Sequence, residues 1–169
     1  MIRQKEPPYT GTIVSPERTL SQIQQLLLDY GCEAVQVTRD QHGRVEVQFA
    51  VEVEVQGVRR KIAVRVEPPL LATSKGRGYS KVTTADPARS YRLLFWYLKS
   101  KLEAVSYGLA SAEREFFSQV LVALPGGESA TMGELAEESL VKGGPMFLPG
   151  VSLDKRPRLP EPKPSEDSK

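Results

Sequence analysis

The sequence between residues 44 and 67, RVEVQFAVEVEVQGVRRKIAVRVE, predicts a β-hairpin and with it the class of the fold. Apolar and polar residues alternate without a break through Val45–Val55, which is typical of a strand with one buried face. The pair Gln56-Gly57 has the length and the glycine of a two-residue hairpin loop. Because such a loop fixes the register, Val55 is expected opposite Val58 and all later pairs follow from that one.

This register predicts one apolar face and one charged face. The predicted pairs are Val51 with Ile62, Phe49 with Val64, Glu54 with Arg59, Glu52 with Lys61, Ala50 with Ala63, and Gln48 with Arg65. Each exposed pair of opposite charges contributes about 0.2–1 kcal/mol. Arg59 and Lys61 are therefore interpreted as partners of glutamates rather than as ligands of phosphate groups.

A helix and further strands are predicted before the hairpin. Ser15 and Pro16 are typical of a helix start, and apolar residues recur at helical spacing through Leu20–Tyr30. The next strand is predicted at Glu33–Arg39, and Tyr9–Val14 is a candidate for a fourth strand.

Helices are also predicted after the hairpin. Asp86-Pro87 begins one that extends to about Tyr107. Its predicted buried stripe consists of Tyr91, Leu94, Phe95, Leu98, Leu102 and Val105. Others are expected over about Ser111–Ala123 and Thr131–Leu140. The predicted fold is therefore α+β: a helix, a three- to four-stranded antiparallel meander, and two or three helices packed on one face of the sheet.

Length and composition predict one domain with loose ends. The chain has 169 residues, of which 40% are hydrophobic. Residues 1–8 are expected to be a flexible N-terminus, residues 9–141 a single α+β domain, and residues 142–169 a Gly/Pro-rich disordered tail. Residues 70–85 lack any periodicity and are predicted to form a flexible basic loop. The sequence shows no apolar signal region and no run of about 20 apolar residues, so we expect a cytoplasmic protein without a membrane partner.

The sequence contains no motif for catalysis, a cofactor or a metal. With one cysteine, Cys32, and one histidine, His42, zinc sites built from clustered Cys and His are excluded. Cys32 is interpreted as a small buried side chain and His42 as a solvated turn residue. The glycines around Lys75 lack the spacing of a phosphate-binding loop. We therefore expect a protein that is not an enzyme, unless its structure brings three carboxylates into one cleft.

Positive charge and aromatic rings are concentrated together. Residues 57–101 carry a net charge of +9 and residues 102–141 one of −6, although the whole chain carries only +2. Cations can bind phosphates and aromatic rings can stack on bases, so the pattern favours nucleic-acid binding. The candidate binding residues are Lys75, Arg77, Tyr79, Lys81, Arg89, Arg92, Trp96 and Lys99. Tyr79 and Trp96 are the candidate stacking rings.

The leading hypothesis is a non-enzymatic accessory protein that binds single-stranded or duplex nucleic acid, DNA or RNA. The same features are compatible with a protein-protein interaction module that binds or inhibits a host or phage protein, since Trp96 can pack against a partner while cations surround it. Self-association is a third possibility, because the acidic segment of one chain can pair with the basic segment of another. The two segments can also pair within one chain.

The sequence also resembles a family of small uncharacterised proteins of bacterial phages and mobile elements. The resemblance covers residues 9–150, through TIVSPERTLSQIQQLLLDYGCEAVQV, the strand meander, RSYRLLFWYLKSKLEAVSYGLASAEREFFSQVLVAL, LPGGESATMGELAEE and GGPMFLPG. It implies a gene of a mobile element, sited among replication or recombination functions. The family has no established activity or catalytic residues that could be carried over to this sequence.

Overall fold

The chain begins with a helix, continues through an antiparallel sheet and returns to helices, which confirms the α+β prediction. The computed structural model describes residues 13–41, 43–75 and 82–142. Its elements are α1 (Pro16–Asp29), β1 (Glu33–Arg39), β2 (Val45–Val55), β3 (Val58–Val66), β4 (Ala72–Lys75), β5 (Val82–Ala85), α2 (Pro87–Ser106), α3 (Ala112–Glu115), β6 (Leu121–Ala123), β7 (Ser129–Thr131) and α4 (Met132–Val141).

The central sheet has the strand order β1-β2-β3, and both neighbouring pairs are antiparallel. Gln56 and Gly57 have φ angles of 53° and 76°, the left-handed values that a tight hairpin turn of this kind requires. All the cross-strand pairs predicted from the loop are present, from Val55 opposite Val58 to Gln48 opposite Arg65. The two-residue loop was therefore sufficient to predict the register of β2 and β3.

One face of this sheet is covered by α1 and α2. Ile23 and Leu27 of α1 and Leu98 of α2 are fully buried against the apolar side of β2 and β3. Phe116 completes this core, with its ring edge-on to Phe49 at 5.6 Å between centroids. Helices α1 and α2 thus pack on a single sheet face, as predicted, whereas α4 contacts the segment Phe117–Gln119 and β7.

The opposite face of the sheet carries the charged residues. Arg59 lies 3.5 Å from Glu52 and 3.9 Å from Glu54, which agrees with the predicted ladder. Lys61 differs, because its ammonium group lies 2.6 Å from Glu33 on β1 rather than pairing with Glu52. Glu33 is opposite the small Ala50, so the long lysine side chain can cross β2 to reach it. Both cations have acidic partners, in line with their interpretation.

The prediction of a third helix over Ser111–Ala123 is wrong in length. Only Ala112–Glu115 is α-helical, and a 3-10 turn follows at Phe117–Gln119. Val120 then forms an antiparallel bridge with Val64 at the edge of β3. The chain continues into the hairpin of β6 and β7, because pairing at this edge competes successfully with the helix.

Two other expectations agree with the structure only in part. The predicted loop at 70–85 contains strands β4 and β5, which pair from Ala72 opposite Ala85 to Lys75 opposite Val82. The candidate strand Tyr9–Val14 lies largely outside the described residues, and its last two residues, which are described, are not in a strand. The expectations for residues 1–8 and for the tail beyond Lys142 lie outside them as well.

The C-terminal helix α4 is fixed at its start by a capping box. The Thr131 hydroxyl accepts from the Glu134 N–H at 3.2 Å, and the Glu134 carboxylate accepts from the Thr131 N–H at 2.6 Å. Gly133 lets the helix approach the 3-10 turn closely, since a Cβ there would lie 2.9 Å from the Ser118 carbonyl oxygen. No helix in the described ranges is long and apolar enough to cross a membrane.

Candidate nucleic-acid interface

Three of the predicted binding residues lie together on one face of α2. Arg92, Trp96 and Lys99 are separated by four and three residues, so the helix places them in one row. Trp96 is 39% exposed, while Leu94 and Leu98 on the other side of the helix are buried in the core. The packing of the apolar stripe therefore directs this row, named here the cation–tryptophan row, towards solvent.

The indole ring of Trp96 is in contact with both cations of the row. The Arg92 guanidinium carbon lies 5.4 Å from the ring centroid, and the Lys99 ammonium nitrogen lies 5.2 Å from it. Phe95 packs edge-on to the same ring at 5.4 Å between centroids. Cations within about 6 Å of an aromatic centroid are attracted by its quadrupole, so the ring stabilises both positive charges.

Arg92 is held more firmly than a typical surface arginine. One of its Nη atoms donates to Gln22 Oε1 of α1 at 2.9 Å, and its guanidinium also lies 4.9 Å from the centroid of Phe95. Lys99 has a looser environment, with Glu103 at 3.5 Å one turn further along α2. Arg92 is therefore the better placed of the two cations to act as a rigid donor to a phosphate group.

Arg89, another of the predicted binding residues, does not belong to this exposed row. It is only 8% exposed, and its guanidinium lies 3.6 Å from the carboxylate of Asp86. Asp86 is the N-cap of α2 and also accepts from the backbone N–H of Arg89 at 3.2 Å. The positive charge of Arg89 is thus paired with the carboxylate of Asp86 at the start of the helix.

The other predicted binding residues belong to the basic stretch before α2. Lys75 is the last residue of β4, while Arg77, Tyr79 and Lys81 lie outside the described residues. The backbone of Asp86 donates to the Leu71 carbonyl at 2.9 Å, so the β4–β5 hairpin leads directly into α2. Their part in binding therefore stays a prediction.

Much of the segregated charge is paired within the chain. Three cations of the basic segment have partners in the acidic one: Lys99 with Glu103, Lys101 with Glu115, and Arg65 with Glu134. The Lys101 ammonium also lies 4.9 Å from the centroid of Tyr97. Pairing of the two segments within one chain, which was one of the alternatives, is therefore present.

An open groove of about 610 Å³ lies beside α2, on another side of the helix from the row. Val66, Leu93 and Tyr97 form apolar parts of its lining, and Glu67 and Glu137 are among its acidic residues. Across the described ranges neither of these two glutamates has an ion-pair partner. The groove therefore combines apolar surface with two glutamates that have no ion-pair partner among the described residues.

A third carboxylate, that of Glu134, also lines the groove, but it already accepts a hydrogen bond from the Thr131 N–H and pairs with Arg65. Its bond from the Thr131 N–H is the main cause of a pKa below the ordinary value of 4.5, and the nearby charge of Arg65 lowers this pKa further. Among the residues that the structure describes, no group of three or more His, Cys, Asp and Glu side chains is placed to hold a metal ion. Glu67, Glu134 and Glu137 therefore line one groove, but among the described residues they do not form such a group.

The single cysteine matches its structural interpretation. Cys32 is buried, and this burial raises the pKa of its thiol to about 11, so that the thiol stays protonated and weakly nucleophilic near neutral pH. His42, the other side chain considered for catalysis, lies outside the described residues.

Two contributors to the site were not identified from the sequence. Gln22 shows no signal in its own helix, and its role depends on the packing of α1 against α2. Phe95 was assigned to the core stripe, yet its ring also contacts Arg92 and Trp96. Its position between the apolar stripe and the row was the only signal that could have indicated both roles.

No family model, curated protein or solved structure matches this chain. The resemblance to proteins of phages and mobile elements therefore stays an expectation, and the proposals below depend on the geometry.

Proposed function

We propose that this protein is a non-enzymatic accessory protein of the cytoplasm that binds nucleic acid for a phage or mobile element. The observation that supports this most is the cation–tryptophan row, in which Arg92 and Lys99 lie over one exposed indole ring. A polyanion is the natural ligand of two neighbouring, oriented cations, because neutralising its phosphates releases condensed counterions.

The anchoring of Arg92 favours this function over a merely solvated charge. Its contacts with Gln22, Phe95 and Trp96 restrict the side chain before a ligand arrives. Less conformational entropy is then lost when its remaining N–H groups bind a phosphate, and the guanidinium fork suits phosphate oxygens. A basic hairpin that leads into the same helix would extend the surface.

The test is the binding of fluorescently labelled oligonucleotides, single-stranded and duplex, measured by anisotropy over a range of salt concentrations. We expect binding at low salt that weakens as salt rises. Replacing both cations, Arg92→Gln with Lys99→Gln, should reduce the duplex slope of log affinity against log salt by about 2, since each phosphate contact contributes about 0.9.

A matched control is available on the sheet. Arg59→Gln with Lys61→Gln removes the same charge from side chains that are paired with glutamates, and it should change the slope much less. Absence of any binding at low salt, or equal losses in the two double variants, would remove the proposal.

The groove beside α2 supports a second candidate, a module that binds a protein partner. Its apolar lining with Glu67 and Glu137 suits a basic segment that carries an apolar anchor. One dominant captured protein that resists nuclease and is lost with Glu67→Lys and Glu137→Lys would favour this function. If the capture is unchanged in that double variant, the groove is not the docking site.

A further inference from the structure

We infer that Trp96 is a positioning residue for Arg92 and Lys99 rather than a stacking platform for bases, so that the row binds the phosphate backbone of single strands and duplexes alike. This inference rests on the proposed function and assigns the class of ligand at the same site. It also changes the role that the sequence predicted for Trp96, which was base stacking.

The surroundings of the ring carry the inference. Three groups of its own helix lie within 5.4 Å of the ring centroid: the Arg92 guanidinium, the Lys99 ammonium group and the ring of Phe95. Arg92 lies one turn before Trp96 and Lys99 about one turn after it, so the two cations approach the indole from opposite ends along the helix. A base that stacked on the indole would compete with these two cations for the ring.

Displacement would oppose binding to the phosphates. Arg92 is held by Gln22 and Phe95 as well as by Trp96, so moving it breaks several contacts at once. Moving Lys99 off the ring gives up the position that the indole and Glu103 define. Either movement would take a cation away from the phosphates that it is proposed to bind, which would lower the affinity for nucleic acid.

The two roles of the ring predict different preferences for strands. A ring that stacks on an unpaired base favours single strands by roughly 5- to 150-fold. A ring that only holds cations gives no such preference, and the denser phosphates of a duplex then bind at least as tightly. We expect a duplex of 20 base pairs to bind with an affinity equal to or above that of a 20-nucleotide oligothymidylate.

Trp96 is the only tryptophan of the chain, so its fluorescence reports directly on this site. Both oligonucleotides are titrated into the full chain, with anisotropy of a label on the nucleic acid measuring binding and indole emission measuring stacking. Saturation with little change in emission supports the inference. Strong quenching together with a single-strand preference of about tenfold or more overturns it.

A mutant cycle tests whether the ring acts through the cations. Trp96→Leu should weaken binding by roughly 2- to 5-fold for each cation that it holds, and it should have no further effect in the Arg92→Gln, Lys99→Gln background. Equal losses in both backgrounds overturn the inference. Tyr97→Leu is the matched control, because Tyr97 is a neighbouring ring that is 41% exposed but contacts Lys101 instead.

The outcomes separate this inference from the proposed function. Failure of both oligonucleotides to bind at low salt removes the proposed function and the inference together. Binding that depends on Arg92 and Lys99 but strongly prefers single strands and quenches Trp96 keeps the proposed function and overturns only the inference.

Discussion

Replacing Glu134 with glutamine should destabilise the protein through one side chain that joins two parts of the fold. Its carboxylate accepts from the Thr131 N–H at 2.6 Å at the start of α4 and also binds Arg65 of β3. Arg65 is only 15% exposed and otherwise has Glu46 at 3.9 Å. Glu134→Gln therefore removes the charge of a capping box and of an ion pair at once.

The magnitude follows from these two contacts. Loss of a negative charge in the first turn of a helix costs about 0.3–1 kcal/mol, and a partly exposed ion pair contributes about 0.2–1 kcal/mol. Because the Glu134 side chain is 52% exposed, we expect the lower part of the combined range, about 0.5–1 kcal/mol. The change in the free energy of unfolding, obtained from urea denaturation at pH 7, measures it. Glu137→Gln is the control, since Glu137 lies on the same helix without an ion-pair partner among the described residues.

The effect should also depend on pH in a defined direction. The bond from the Thr131 N–H, assisted by the charge of Arg65, lowers the pKa of Glu134 below 4.5 in the folded state. A carboxyl with a depressed folded-state pKa stabilises the fold above its unfolded value, and this stabilisation is lost as the pH falls through the folded pKa. The two proteins should therefore converge in stability below pH 4.5. Equal losses for Glu134→Gln and Glu137→Gln at pH 7, or a difference that persists in acid, would refute the reasoning.

Two further predictions concern the core. Phe116→Ala should destabilise by about 3–5 kcal/mol in denaturant unfolding, because Phe116 is fully buried and packs edge-on to Phe49; Phe117→Ala, at a residue that is 57% exposed, should change stability by less than about 0.5 kcal/mol. Cys32 should react with iodoacetamide at pH 8 only when the chain is unfolded, because burial raises its pKa to about 11. For the same reason stability should fall between pH 9 and about 11, where only the unfolded thiol ionises; rapid labelling of the native protein would contradict both statements.

The sequence was most informative where one local feature determined many contacts. The loop Gln56-Gly57 determined the whole register of β2 and β3, because a two-residue turn leaves no freedom in the pairing that follows. Ion-pair partners were less predictable, since the long and flexible side chain of a lysine can reach several glutamates. Lys61 reached past β2 to Glu33, which depended on the position of β1 and on the small side chain of Ala50.

The segment after α2 shows why tertiary pairing was missed. Its apolar spacing favoured a helix, but Val120 lies beside the open edge of β3 and pairs with Val64. The run Val120–Leu124 followed by Pro-Gly-Gly is also compatible with a strand and a turn. The choice between the two depended on an edge whose position the local sequence does not encode.

For the candidate site, helical spacing correctly placed Arg92, Trp96 and Lys99 in one row, but it could not distinguish them from Arg89. All four residues recur at steps of three or four along α2, and only the N-cap carboxylate of Asp86 and the burial of the first turn separate Arg89 from the rest. Spacing also could not reveal that the indole is surrounded by its own cations, since that depends on side-chain conformations and on Gln22 from another helix.

The charge segregation of the chain is, for these reasons, a weaker sign of a ligand than it first suggests. Arg59 and Lys61 are paired with glutamates across the sheet, and Arg89 is paired with Asp86 at the start of α2. Arg65, Lys99 and Lys101 are paired with glutamates of the acidic segment. Ion pairs between the basic and the acidic segment of one chain stabilise the fold. Cations in such pairs are largely neutralised and attract a polyanion only weakly. Arg92 differs because its contacts among the described residues are an amide and two aromatic rings, none of which neutralises its charge. Binding that survives Arg59→Gln with Lys61→Gln but depends on Arg92 would therefore show that the feature to seek in a sequence is a cation beside a ring, rather than a basic stretch.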